Sequence, residues 1–447
     1  MRRFVHVIGL VTIALAATLT RAGGVVDSQA IRALASDALG EDGARAARAT
    51  AALRAVGPLG LEVLIAAHKD VLQRGEADPR WARLRAAIDR VAAQRDAYAS
   101  RLYWYTDLEL AKAAARETGR PILSLRLLGR LDEEMSCANS RLFRSLLYAN
   151  QEVSSVLRQR FVLHWQSVRP VPRVRVDFGD GRVLERTITG NSIHYVLDAE
   201  GRPLDAIPGL WSPRGFLAEV LRGEALSRQL AGLDKPNRAS ALLVAYDRSA
   251  LETQTAWAAV AASRPEDALL LAPGEDDTPK ARATGRPEAL QAGAITATKM
   301  AMERPILSAL ATRLPLPEPA TEGGWARIAE TEAASVEFDP ATVALIARKV
   351  ASGHGGEEAT VLEHAARLER TLEKLKRTVA EDELRNRFEL QPRVRRWIAR
   401  AGLADLDRLN QRVYAELFLT PNDDPWLGLA PDDAYAAIEK EGKRESR

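Results

Sequence analysis

A single cysteine, Cys137, stands in a chain of 447 residues. No intramolecular disulfide can brace such a fold, and no thiolate-built zinc or iron–sulfur centre can be assembled from one copy. Cohesion must come from apolar packing. At about 150 residues per domain the length gives a prior of two to four domains, ample for real cores. Hydrophobic residues make up 46% but aromatics only 5%, so those cores must lean on Leu, Val, Ile and Ala. Lys plus Arg number 63 against 60 for Asp plus Glu, a net of +3. A nucleic-acid protein needs a concentrated positive face, and so even a balance argues against one.

The chain starts like an export signal. Arg2 and Arg3 supply positive charge, residues 4–19 form an apolar run, and Thr20-Arg21-Ala22 offers small residues at the two positions a signal peptidase reads. The run is shorter than the roughly 20 residues a spanning helix needs. Cleavage near Ala22 is expected, with residues 1–22 as signal peptide and a mature periplasmic or secreted protein without a transmembrane helix. The alternative is an uncleaved N-terminal membrane anchor. No cysteine follows the run, which excludes lipid attachment there.

Residues 25–98 read as a helical N-terminal region. Gly57-Pro58 and Asp78-Pro79 are break-and-restart pairs in which proline takes the first helical position. Residues 99–228 alternate strand-like runs with helices. Thr106 and Glu109 have the spacing of a capping box, opening a helix that Gly119 ends. Strands are predicted over 122–128, 161–168, 193–197 and 204–207, and a long helix from Ser136 or Cys137 through Leu146. Asp180-Gly181 between β-prone runs predicts a hairpin insertion at 169–187. Residues 229–320 return to helix around a loose loop at 265–287, rich in Pro, Gly and Asp. Residues 321–447 read as a helical C-terminal domain. There Val361, Ala365, Leu368, Leu372, Leu375 and Val379 recur at spacings of four and three, a seam expected to pack as an antiparallel hairpin.

The middle region carries an ordered set of motifs. Tyr105 to Ala111 starts a helix ending in Thr118-Gly119-Arg120-Pro121, which leads into the strand at 122–128. Cys137-Ala138-Asn139-Ser140 follows at a helix start. Later come Gly190-Asn191-Ser192, a strand, Asp198-Ala199-Glu200-Gly201, a short strand and Pro208-Gly209. In this order the motifs resemble the thioredoxin-like superfamily over residues 102–225, about a quarter of the chain. The resemblance implies an α/β fold class, with a thioredoxin-like central domain flanked by N-terminal and C-terminal α-helical regions. It also implies thiol redox chemistry at Cys137. Two positions depart from the family. Ser140 stands where its oxidoreductases carry a second cysteine, and a hydroxyl cannot resolve a mixed disulfide. Ser192 stands where the family has a cis-proline. A non-proline cis bond costs about 2.5–4 kcal/mol, so trans geometry is expected.

Cys137 is then the candidate nucleophile, acting through a mixed disulfide or a sulfenate. A thiol at a helix N-terminus faces free N–H groups and the positive end of the dipole, which favour the thiolate. Arg141 and Arg144 add positive charge, and Asp132, Glu133 and Glu134 oppose it. Asn139, Ser140 and Ser192 complete the candidate catalytic set, with Gln166 as a further group to orient a peroxide or sulfenate. Asn191 and Arg141 are candidate substrate-binding residues. The expected partner is a protein thiol or disulfide. His164 and His194 lie in predicted strands, and imidazole with thiolate suits copper or zinc. Their spacing is not diagnostic, so no metal or cofactor is expected. The alternative function is a non-catalytic thioredoxin-like scaffold whose helical flanks bind protein. Other strings carry less. Asp177-Phe178-Gly179 belongs to the hairpin, Arg169, Arg173 and Arg175 to a solvated loop, and residues 420–429 to a turn packed around Trp426.

Overall fold

The computed structural model describes residues 28–187, 191–266, 320–352, 360–400, 405–418 and 420. The export segment, Gly190, the loop beyond residue 266 and the turn at Trp426 lie outside the described residues. The protein is mixed α/β, mostly helical with a small sheet.

Among the described residues the strands are β1 (Ile122–Leu128), β2 (Val162–Arg169), β3 (Arg173–Asp177), β4 (Val183–Thr187), β5 (Ile193–Leu197) and β6 (Pro203–Pro208). Four of them form a sheet in the order β2-β1-β5-β6, while β3 and β4 make a separate hairpin. β1 runs parallel to β2 and antiparallel to β5, which is antiparallel to β6. β1, β5 and β6 are buried along their whole length, as strands covered on both faces must be. In register, Ser124 lies opposite His164 and Tyr195, while Leu125 lies opposite Trp165 and His194. The two-residue period of a strand then puts Ser124, Arg126, His164, Gln166 and Tyr195 on one face, and Leu125, Trp165 and His194 on the other.

Before the sheet, the helices Ser28–Asp37, Gly43–Val56, Pro58–Ala67, Lys69–Arg74 and Trp81–Ala92 close a core of their own around Leu53, Leu64, Leu84 and Ile88. Gly57 takes the positive φ of 87° that the break requires, with Pro58 in the first turn of the next helix. Two local expectations shift. Asp107, not Thr106, caps the helix Leu108–Thr118, its carboxylate accepting from the Glu109 and Leu110 N–H groups at 2.8 and 3.2 Å. A charged carboxylate at the positive helix end is the stronger acceptor. Asp78 accepts from the Arg80 N–H at 2.8 Å in a turn, and the helix begins only at Trp81.

The C-terminal part packs on the sheet. Val379, Phe388, Val394, Trp397, Tyr414 and Phe418 share one buried cluster with the strands. The helix Val361–Arg385 continues through a π turn, Asn386–Leu390, into Gln391–Arg400. Its seam is uneven: Val361 is exposed, Leu368, Leu372 and Leu375 are half-buried, and only Val379 reaches the core. The helix packs against two others, Ala320–Glu332 and Pro340–Ser352, rather than against a single antiparallel mate. Arg395 anchors the region, pairing with Asp205 of β6 and with Glu219 at 2.8 Å, all three groups buried.

Candidate functional site

Gly129 to Ser136 carries the chain from β1 to the helix Ala138–Leu142, which widens into a π turn at Phe143–Leu147. The helical run thus starts at Ala138, just after the predicted start at Ser136 or Cys137, and ends at Leu147, one residue beyond the predicted end. Cys137 is the residue that caps it, and its N–H donates to the Leu128 carbonyl at 3.2 Å. That bond holds the cysteine at the carboxyl end of β1. Ser192 enters from the segment that precedes β5, and its carbonyl accepts from the Gly209 N–H.

The sulfur sits between two hydroxyls. Cys137 Sγ donates to Ser140 Oγ at 3.3 Å and lies 3.1 Å from Ser192 Oγ. Ser140 in turn donates to the Cys137 carbonyl at 2.9 Å. Its only proton is therefore committed to the backbone, and a thiolate would gain it only if the hydroxyl turned. No peptide bond is cis among the described residues, so the chain reaches Ser192 in the trans form. Cys137, Asn139, Ser140 and Ser192 are each 0% exposed. Asn139 is the odd member: neither its amide oxygen nor its amide nitrogen has a hydrogen-bond partner among the described residues. Leaving such a group unpaired costs about 1–3 kcal/mol, which a polar ligand or water could recover.

The charges expected to tune the thiol are engaged elsewhere. Arg144 is buried and donates to the carbonyls of Glu133 and Glu134, at 2.7 and 3.3 Å, so it braces the loop before Cys137. Arg141 donates to Thr187 Oγ1 at 2.9 Å. Asp132 pairs with Arg130, Glu133 with Arg173, and Glu134 with Arg95 and Lys349. Gln166 accepts from Arg126 on the other face of the sheet from His194. The two histidines part company for the same reason of strand phase. His164 bonds Ser124 at 2.9 Å, and His194 bonds the Tyr148 hydroxyl at 2.7 Å. Burial, joined by the Arg126 charge at His164, lowers both to about 3, so both are neutral at pH 7. Among the described residues no three His, Cys, Asp or Glu side chains cluster as metal ligands do.

The cover over the site is not foreshadowed in the sequence. The helix Leu406–Arg412 and the π turn Val413–Leu417 lie across the sheet face that carries Arg126 and Tyr195. Asp407 pairs with Arg126 at 3.3 Å, the Tyr195 hydroxyl donates to Asn410 at 3.3 Å, and the Tyr414 hydroxyl donates to the Asn191 carbonyl at 3.2 Å. Burial, and then the nearby Cys137, push both Tyr414 and Tyr148 well above the ordinary phenol value. Arg126 is the available signal: a cation inside the run Ile-Leu-Ser-Leu-Arg-Leu-Leu demands a polar or charged partner. Nothing in the sequence identified that partner as a helix some 280 residues later. No protein-family model, no curated protein and no solved structure matches the chain.

Proposed function

We propose that the chain is an exported thioredoxin-like protein that performs single-thiol chemistry at Cys137. The observation that carries the reading is the sulfur held between the Ser140 and Ser192 hydroxyls at the strand-to-helix junction. The order of strand, helix, parallel strand, antiparallel hairpin and final helix supports the family resemblance. In the reaction, the Cys137 thiolate attacks a partner disulfide. A new S–S bond forms, the old one breaks, and the released sulfur leaves as thiolate. A peroxide would instead carry the same thiol to a sulfenate. Ser140 has no thiol with which to attack the adduct, so a mixed disulfide persists. Because the sulfur is fully buried, reaction requires a local opening, for which the C-terminal cover at Tyr414 is the candidate. Export rests on residues 1–22, and N-terminal sequencing of the mature protein tests it: a start after Ala22 supports export, and retained Met1 argues against cleavage.

A scaffold without chemistry is the second reading. The complete burial of Cys137 favours it, as do the exposed Leu243, Val244 and Leu251 on the helix Lys235–Ser263, which offer an apolar surface to a protein partner. Incubation of the folded protein with glutathione disulfide, read by intact mass, separates the two. Single-thiol chemistry gives one glutathione adduct at Cys137 that survives removal of the reagent. An unmodified folded protein whose unfolded form reacts at once assigns the chain to the scaffold class.

A further inference from the structure

A cavity of about 640 Å³ lies outside the thiol site, where the helices Pro58–Ala67 and Lys69–Arg74 face Arg101 and Arg158. Its floor includes the buried Leu61 and Ile65. Three cations line it, Lys69, Arg101 and Arg158, against one carboxylate, Glu62. Among the described residues none of these four forms an ion pair. Arg158 is fixed by its donation to the Ser100 carbonyl at 2.6 Å. Burial, and then the like charge of Arg101, lower its guanidinium from the ordinary arginine value, with the Glu62 charge acting against them. Arg101 follows the short helix Ala97–Ser100 with φ 55° and ψ 27°, a left-handed position that usually holds glycine. Ala93 and Asp96 share that backbone state, so the conformation alone marks no site. What sets Arg101 apart is that a strained position carries an unneutralised cation beside a second cation, at the rim of an apolar groove.

We infer that this groove binds an amphiphilic anion, its acid head between Arg101 and Arg158 and its apolar tail along Leu61 and Ile65. Two adjacent guanidinium groups that face one carboxylate, Glu62, and form no direct ion pair with it suit a carboxylate or phosphate head, which each can take through paired N–H donors. The volume lies within the range of small-molecule sites, and the mix of apolar floor and few convergent charges is their usual lining.

Calorimetric titration of the full chain with decanoate, decyl phosphate and decanol, each below its micelle concentration, tests the inference. At least one of the two anions should saturate the protein at least tenfold more tightly than decanol, and which one does so identifies the head group. Arg101→Gln should weaken that binding about tenfold or more. Arg101→Gly should weaken it as much while raising the thermal midpoint, because glycine relieves the left-handed backbone. Absence of saturable binding by either anion overturns the inference, as does equal affinity for decanol. Unchanged anion affinity in the two Arg101 variants overturns it as well.

Discussion

At the residue scale, the chemistry of the site turns on what one hydroxyl cannot do. Ser140 stands 3.3 Å from the Cys137 sulfur, close enough for a thiol at that position to attack it. Ser140→Cys should therefore shorten the life of a Cys137 mixed disulfide at least tenfold, followed by mass spectrometry after reagent removal. The buried histidines give a second residue-scale expectation. His194 is lowered to about 3 by burial, so the unfolded chain takes up a proton below pH 6.5 that the folded chain refuses. Its share of stability is complete above pH 6.5 and is lost as the pH falls toward 3. His194→Gln should remove about 1.4 kcal/mol per pH unit from the slope of unfolding free energy between pH 6 and 4. Urea denaturation at several pH values measures it. Asp89, raised to about 6 mainly by burial, acts with the opposite sign, but it is common to both proteins and cancels in the difference. The sequence placed Cys137 at a helix start and Ser192 before a strand because local turn and strand signals are strong there. It did not reveal that Arg144 serves the loop carbonyls, because a guanidinium at helical spacing reads the same whether it faces a thiol or a backbone.

At the element scale, the C-terminal cover is the part of the proposal that access to Cys137 tests. The Tyr414 hydroxyl reaches the Asn191 carbonyl next to Ser192, and the turn that carries it is bound further by Asn410 and Asp407. Tyr414→Phe removes one buried bond, worth about 0.5–1.5 kcal/mol, and leaves the carbonyl unpaired. Labelling of Cys137 in the folded protein should accelerate about three- to tenfold, measured with a small alkylating reagent. An unchanged rate would assign access to some other opening. The strands were legible as elements because β1, β5 and β6 are short, β-rich and punctuated by turn residues. Their cover was not, because a helix declares its apolar face but not which sheet that face meets.

At the scale of the whole molecule, buried charge ties the C-terminal helices to the sheet. Arg395 Nε and Nη2 bind both oxygens of Asp205 at 2.8 Å, Nη2 also reaches Glu219, and Nη1 donates to Ser249 at 2.7 Å. Gln391 completes the cluster through Glu219 and the Ala206 carbonyl. Arg395→Ala would strand two buried carboxylates, and chemical denaturation should show a loss of about 3–5 kcal/mol. Sequence regions at 99–228 and 321–447 looked separable because composition and periodicity change between them. In the folded chain Val379, Val394 and Tyr414 belong to the same buried cluster as Leu125 and Val196, a union of distant segments that no local pattern reports.

The most direct test of the single-thiol claim is the urea dependence of Cys137 labelling at concentrations well below the unfolding midpoint. If the C-terminal cover opens locally, little surface is exposed and the labelling rate stays nearly flat as urea rises. If Cys137 is reached only by global unfolding, the rate climbs with the full equilibrium slope, and the thiol has no chemistry in the folded protein.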